Sequence, residues 1–129
     1  MSYNAALYLF EEFIENNHKN ECLQFFRSSP HGYLLVLLIY IHQHKKLDLS
    51  LSDIYKKIPN KIASNLTLFN LVKDAEDVGD IIKNQMPKDS RSVHVAFKKI
   101  AFNKISNWLD SLVIKKNNFF LFRDNSKYT

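Results

Sequence analysis

The sequence predicts one mostly helical α+β domain in which a single β-hairpin follows a series of amphipathic helices. The chain of 129 residues contains only two glycines and three prolines, a composition that favours helices. Apolar residues recur at helical spacing through most of the chain and alternate with polar ones near residues 92–97. With 46% hydrophobic residues, residues 1–129 can build one core but not two independent ones.

Apolar spacing and capping residues predict five helices. The predicted ranges are 5–26 (with a possible break near Asn17), 30–44, 51–58, 64–78 and 98–113. Capping residues mark three of the starts, namely Ser29 ahead of Pro30, Ser50 or Ser52, and Ser64 or Asn65. The second helix is apolar nearly all round, so it should lie in the middle of the core. The fourth should bury one face, made of Leu68, Leu71, Val72, Ala75 and Val78.

A β-hairpin is predicted directly after the fourth helix. Gly79 ends that helix, residues 80–85 extend as a strand, and Pro87 and Asp89 supply the turn. Residues 92–97 then return as a strand with apolar side chains at every second position. Two helices followed by a basic-tipped hairpin is the element order of a winged helix-turn-helix, which is the fold we expect.

Net charge and cysteine content limit which partners and which metal or disulfide sites the protein can have. A net charge of +5 and a pI near 9.3 suit a polyanionic partner without requiring one. Cys22 is the only cysteine, which excludes an intramolecular disulfide and a cysteine-rich zinc site. The first residues lack the pattern of a signal peptide, and the apolar run 33–41 is too short to span a bilayer. We therefore expect a cytoplasmic protein without membrane contact.

The hairpin also carries a family resemblance. An Asp-x-Arg at the turn, here Asp89 and Arg91, is followed by an alternating apolar strand, and Gly79 lies ten residues ahead of that Asp. With Pro87 two residues before Asp89, this pattern resembles the winged helix of the MarR family, and the chain length is similar to that of its short SarA-type branch. The resemblance covers about residues 30–108. One departure is the link after Ile58, which is about three residues longer than the usual turn.

The resemblance implies a homodimeric transcription regulator that binds double-stranded DNA. Residues 1–29 and 98–129 would form the dimerisation helices, and residues 30–97 the helix-turn-helix and wing. Aromatic residues in excess of what a small core needs would form the dimer interface. The candidates are Tyr8, Phe10, Phe13, Trp108, Phe119, Phe120 and Phe122. The alternative is that these rings fill the core of the monomer.

In such a fold the fourth helix enters the major groove and the wing reaches the backbone or the minor groove. Asn65 or Asn70 could bond an adenine edge, and Thr67 could contact a phosphate or a thymine methyl. The full set of expected DNA-binding residues is Ser64, Asn65, Thr67, Asn70, Lys73, Lys83, Lys88 and Arg91. The alternatives are a merely solvated polar face on the helix and, for Arg91, an ion pair with Asp89. The lysines at positions 56, 57 and 61 could clamp phosphates or simply keep the surface soluble.

One feature opposes DNA binding. Residues 64–80 hold a single basic residue, Lys73, against Asp74, Glu76, Asp77 and Asp80, and acids near phosphates cost affinity. They cluster at the C-terminal end, however, whereas such helices contact DNA with their N-terminal half. The competing hypothesis is a winged-helix protein that has lost DNA binding and modulates another regulator by protein contact, through the acidic helix and the outward Leu66. A ligand-responsive sensor is a third possibility, which no residue favours.

Other chemistry is not expected. His42 and His44 lie two residues apart on a helix and point in different directions, so we expect no metal site. Cys22 is expected to be a small buried hydrophobe rather than a redox sensor. The sequence contains no phosphate loop, nucleophile elbow or paired carboxylates, so neither catalysis nor a cofactor is predicted.

Overall fold

A computed structural model describes residues 1–86 and 89–127, with side chains described for residues 1–84 and 93–113. It contains six α-helices and two β-strands in these ranges. In chain order they are α1 Ser2–Lys19, α2 Glu21–Phe26, α3 Pro30–His44, α4 Leu51–Lys57, α5 Asn65–Asp77, β1 Ile81–Met86, β2 Asp89–Phe97 and α6 Lys99–Lys127. The predicted mostly helical fold with one hairpin is confirmed.

Polar side chains fix where the helices begin. The Asn20 side chain accepts a hydrogen bond from the Leu23 amide, so the predicted break in the first helix lies at Asn20 rather than near Asn17. Ser50, not Ser52, caps α4 and forms a reciprocal capping box with Asp53. Ser64, not Asn65, caps α5 by accepting from the Thr67 amide.

Two predicted helix features are wrong. The last helix continues to Lys127 instead of ending at residue 113, since no glycine or proline interrupts it. Val78 was expected on the buried face of α5, but its side chain is 60% exposed. Val78 is the C-cap of the helix, where the chain turns into Gly79 with φ +92°, so the side chain leaves the packed face.

The hairpin packs one face on the helices. Its register pairs Ile81 with Phe97 and Lys83 with Val95, and it shifts between Gln85 and Met86. The inward residues Ile81 and Phe97 are buried. The Val95 amide donates to the Leu49 carbonyl at 2.8 Å, so the segment before α4 pairs with the open side of β2. The predicted turn residue Pro87 lies outside the described residues.

The core forms around α3, as predicted. Leu35, Val36 and Ile39 of this helix are fully buried. They belong to one cluster with side chains from every described helix except α1, together with the inward face of the hairpin. The core thus fixes the helix-turn-helix and the wing relative to each other.

A buried ion pair joins α1, α2 and α6. Two guanidinium nitrogens of Arg27 donate to the two carboxylate oxygens of Glu12 at 2.7 and 2.8 Å, and Trp108 Nε1 donates to the same carboxylate at 2.7 Å. The guanidinium carbon also lies 4.4 Å from the centre of the Phe13 ring. We call Glu12, Arg27 and Trp108 the buried joint.

Candidate nucleic-acid interface

Helix α5 projects one face away from the core. Leu68, Val72 and Ala75 are buried, and this commits one side of the helix to packing. The residues on the opposite side, at i, i+4, i+7 and i+11 spacing, are exposed to solvent. This line consists of Leu66, Asn70, Lys73 and Asp77. Asn65 and Thr67 are exposed beside this line, so all four expected residues, Asn65, Thr67, Asn70 and Lys73, have solvent-exposed side chains.

The N-terminal end of α5 holds several hydrogen-bonding groups. Ser64 Oγ accepts from the Thr67 amide at 3.2 Å and lies 3.0 Å from Thr67 Oγ1, so the two hydroxyls form one pair. Asn65 and Asn70 are exposed beside them. Because the first amides of a helix carry partial positive charge, this end suits an anion or a hydrogen-bond acceptor.

Three lysines lie next to that end. Lys56 and Lys57 form the last turn of α4, and Lys61 lies in the connection to α5. All three side chains are exposed. We call them the basic collar. The basic collar thus adds three positive charges to the segment of chain that leads into the N-terminus of α5.

The acids of α5 and its C-terminal flank are partly turned inward. Glu76 pairs with Lys83 of β1 at 3.3 Å, and Asp80 is half-buried. Burial raises the pKa of Asp80, although the Cys22 thiol donates a hydrogen bond to its carboxylate and Lys104 lies nearby. Of the four acids, only Asp74 and Asp77 are classed as exposed, and the charge of Glu76 is offset by Lys83.

Lys83 does not extend freely from the hairpin. Its ammonium lies 5.4 Å from the centre of the Phe69 ring as well as 3.3 Å from Glu76 Oε1, and its side chain is 20% exposed. Phe69, Glu76 and Lys83 form what we call the wing clamp, which joins β1 to α5. The expected wing residues Lys88 and Arg91 lie outside the residues whose side chains the structure describes.

The candidate dimer residues fall into four groups. Phe10 and Phe13 are exposed on α1, beside the exposed apolar residues Leu9 and Ile14. Tyr8 is half-buried and donates from its hydroxyl to the Leu112 carbonyl at 3.0 Å. Trp108 is buried within the chain as part of the buried joint, so little of its surface remains for a partner. The side chains of Phe119, Phe120 and Phe122 lie outside the described part.

The interpretation of Cys22 as a buried hydrophobe is confirmed. Burial, with the adjacent Asp80 charge, raises the pKa of the Cys22 thiol to about 12. The thiol is therefore protonated near neutral pH and is a poor nucleophile. Among the described residues, no cluster of histidines, cysteines and acids could hold a metal ion.

The sequence analysis predicted neither the buried joint nor the wing clamp. Glu12 and Trp108 are 96 residues apart, and no local pattern marks Glu12 as buried. The wing clamp had a weak signal, since Phe69 and Glu76 share a helix face at i, i+7 spacing. Nothing in the strand pattern showed that Lys83 turns toward that face.

Several solved structures share this fold. In the complex of MepR from S. aureus with DNA, the match covers 96% of this chain and 94% of the MepR chain, with a TM-score of 0.61 at 14% sequence identity. The heme sensor PefR from Streptococcus agalactiae, in complex with heme, covers 98% and 86%, with a TM-score of 0.59 at 18% identity. Reduced AbfR bound to DNA covers 96% and 86%, with a TM-score of 0.53 at 15% identity.

These three neighbours are MarR-type regulators rather than enzymes, so the fold is a winged helix of the MarR type. At such low identities the likeness establishes the fold alone. No protein-family model matches the chain, and no curated protein matches it by sequence. Within the described ranges, none of the helices combines the length and hydropathy needed to cross a membrane.

Proposed function

We propose that this protein is a DNA-binding transcription regulator of the MarR family, in its short SarA-type branch, that acts as a cytoplasmic homodimer without catalysis. One observation carries the proposal. The N-terminal half of α5 projects from the core with exposed Asn65 and Asn70, and the three exposed lysines of the basic collar lie on the segment of chain that leads into this end. Groove-reading side chains flanked by phosphate-binding lysines are what a recognition helix requires.

Each group has a role in this proposal. Asn70 or Asn65 bonds the N6 and N7 edge of an adenine in the major groove. Ser64, Thr67 and Lys73 contact phosphates, and the basic collar neutralises the backbone on either side. Lys88 and Arg91 reach the backbone or the minor groove from the wing. For Lys83, which contacts Glu76 and Phe69 in the wing clamp, we propose that it positions the wing rather than bonding DNA itself.

The neighbours support this proposal. The structures of MepR and AbfR were both solved with DNA, and both match nearly the whole of this chain. Because they share the fold of this chain, the corresponding arrangement here consists of α5 beside the β1–β2 hairpin. The proposed contacts use that same arrangement.

The dimer rests on apolar surface. Leu9, Phe10, Phe13 and Ile14 are exposed on α1, and exposed patches of this kind usually mark interfaces. We propose that α1 and α6 pair with those of a second copy, with Tyr8, Phe119, Phe120 and Phe122 contributing. A two-fold axis there would place two α5 helices about 34 Å apart, one DNA turn.

A second candidate function is a protein-binding modulator of another regulator. Leu66 and Phe69 are exposed on α5 and Ile62 is exposed on the preceding connection. The exposed acids Asp74 and Asp77 lie farther along the same helix. A partner with apolar and basic side chains would fit this surface. Such a protein would bind no duplex even at low salt.

Fluorescence anisotropy with labelled duplexes of about 24 base pairs, at about 50 to about 300 mM salt, tests the DNA function. The proposal predicts that log affinity falls linearly with log salt as condensed counterions are released. Absence of binding at the lowest salt would contradict it and favour the protein-binding alternative.

Light scattering tests the proposed dimer by measuring the molar mass of the protein in solution. Phe10→Glu should yield monomers, whereas Glu11→Gln, an exposed neighbour on α1, should leave the mass unchanged.

A further inference from the structure

An apolar side chain occupies the centre of the proposed groove-facing surface. Leu66 is 69% exposed and lies on the outermost line of α5, one turn before Asn70. No core contact explains this leucine, because the buried face of the helix lies on the opposite side. The exposed side chain of Leu66 would gain free energy by contact with an apolar group of a partner.

Helix α5 also lacks the side chain most used to recognise guanine. It contains no arginine, and its single basic residue, Lys73, lies more than two turns from its N-terminus. Guanine is read mainly by bidentate arginine or by lysine, whereas asparagine reads adenine and apolar side chains contact the thymine methyl. The N-terminal half of this face, where Leu66 and Asn70 lie, therefore matches A·T base pairs.

Phe69 is the other exposed apolar residue on this part of α5, but the ammonium of Lys83 lies above its ring. The wing clamp thus holds Phe69 toward the hairpin. Leu66 and Asn70 are about 6 Å apart along the helix axis. That separation is less than two base-pair steps of about 3.4 Å. A single placement of α5 in the major groove can therefore bring both side chains to neighbouring base pairs.

We propose that Leu66 is a specificity-determining residue that contacts the C5 methyl group of thymine while Asn70 bonds a neighbouring adenine. The inference rests on the proposed DNA-binding function. DNA is a better occupant of this surface than a protein because the adjacent basic collar is complementary to phosphates.

Replacing thymine by uracil removes only the methyl group from the major groove and so tests this contact. The probes are three labelled duplexes of about 24 base pairs, made of alternating dA-dT, dA-dU or dG-dC. Wild-type protein should bind dA-dT more tightly than dA-dU, by about four-fold for each methyl group contacted. The dG-dC duplex should bind more weakly than either.

Leu66→Ala should bind dA-dT and dA-dU equally, and Leu66→Met, which keeps an apolar contact, should restore much of the difference. Leu47→Ala is the matched control, since Leu47 is 56% exposed and lies outside α5. It should retain the wild-type ratio of affinities. Because Leu66 and Leu47 are both exposed, neither truncation should unfold the protein, which circular dichroism would verify.

The outcomes separate this inference from the function on which it rests. Salt-dependent binding with equal affinity for dA-dT and dA-dU would overturn the inference and leave the DNA function intact. An undiminished thymine preference in Leu66→Ala would likewise overturn the assignment to Leu66. If no duplex is bound at low salt, the proposed function fails and the inference fails with it.

Discussion

The buried joint and the wing clamp use similar chemistry in different surroundings. Each pairs a glutamate with a cation beside aromatic rings. In the buried joint, Arg27 contacts Glu12 through two hydrogen bonds of 2.7 and 2.8 Å, and the side chains are only 4% and 6% exposed. In the wing clamp, Lys83 makes one contact of 3.3 Å to Glu76, with exposures of 20% and 39%.

This difference in burial assigns different roles to the two sites. Removing one partner of a buried pair leaves an unpaired charge away from water, whereas a solvated pair contributes little to stability. The buried joint therefore holds α1, α2 and α6 together. The wing clamp should have little effect on unfolding and should act on the position of β1 relative to α5, and hence on DNA affinity.

The largest expected effect is on stability. Arg27→Met should lower the free energy of unfolding by about 3–5 kcal/mol, because Glu12 loses its cation and two of its hydrogen bonds. Urea denaturation measures this. Lys19→Met is the matched control, since it breaks the exposed pair with Glu15 and should cost roughly 0.5 kcal/mol or less.

A double variant sharpens this result. Glu12→Met with Arg27→Met removes both charges, so it should be less destabilised than Arg27→Met alone. If Arg27→Met unfolds with nearly wild-type stability, the buried joint does not hold the helices together.

The buried joint also predicts a pH dependence of stability. Burial alone would raise the pKa of Glu12, but hydrogen bonds from Arg27 and Trp108 and the Arg27 charge together hold it below its ordinary value of 4.5. The resulting stability is present above pH 4.5 and is lost as the pH falls through the lowered pKa of the folded state.

The variant Glu12→Gln has no titratable carboxyl group at position 12. Measured by urea denaturation, its stability should therefore decline less steeply than that of wild type as the pH falls below 4.5. Equal declines in the two proteins would show that Glu12 is not the titrating group.

The smallest expected effect belongs to the wing clamp. Lys83→Met should weaken DNA binding by up to about five-fold without changing the salt dependence, because a positioning residue releases no counterion. If Lys83 bound a phosphate directly, the slope of log affinity against log salt would instead shrink by about 0.9. The charge swap Lys83→Glu with Glu76→Lys should restore affinity, and failure to do so would argue against the clamp.

Local signals accounted for most of the fold. Ser50 and Ser64 caps, the glycine after α5 and the alternation in β2 each depend on a few neighbouring residues, which the sequence displays directly. The outward face of α5 followed from the same periodicity. Val78 was misplaced because a helix end redirects the side chain, which periodicity does not capture.

The buried joint and the wing clamp could not be predicted from such local signals. Glu12 resembles any solvated acid of an amphipathic helix, and only packing against Arg27 and Trp108 makes it part of the interior. Lys83 resembles a free wing lysine until β1 is placed against α5. In both cases the decisive contact joins elements distant along the chain.

The central claim is that the N-terminal half of α5, with the basic collar, contacts DNA. The most direct test compares salt-dependent duplex binding by wild type and by the variant Lys56→Gln, Lys57→Gln and Lys61→Gln. A control with the same charge loss carries Lys98→Gln, Lys99→Gln and Lys104→Gln, three exposed lysines around the start of α6.

We expect the collar variant to bind more weakly. The slope of its log affinity against log salt should shrink by about 0.9 for each phosphate that the variant no longer neutralises, whereas the control keeps the wild-type slope. A collar variant with the wild-type slope and affinity would contradict the claim.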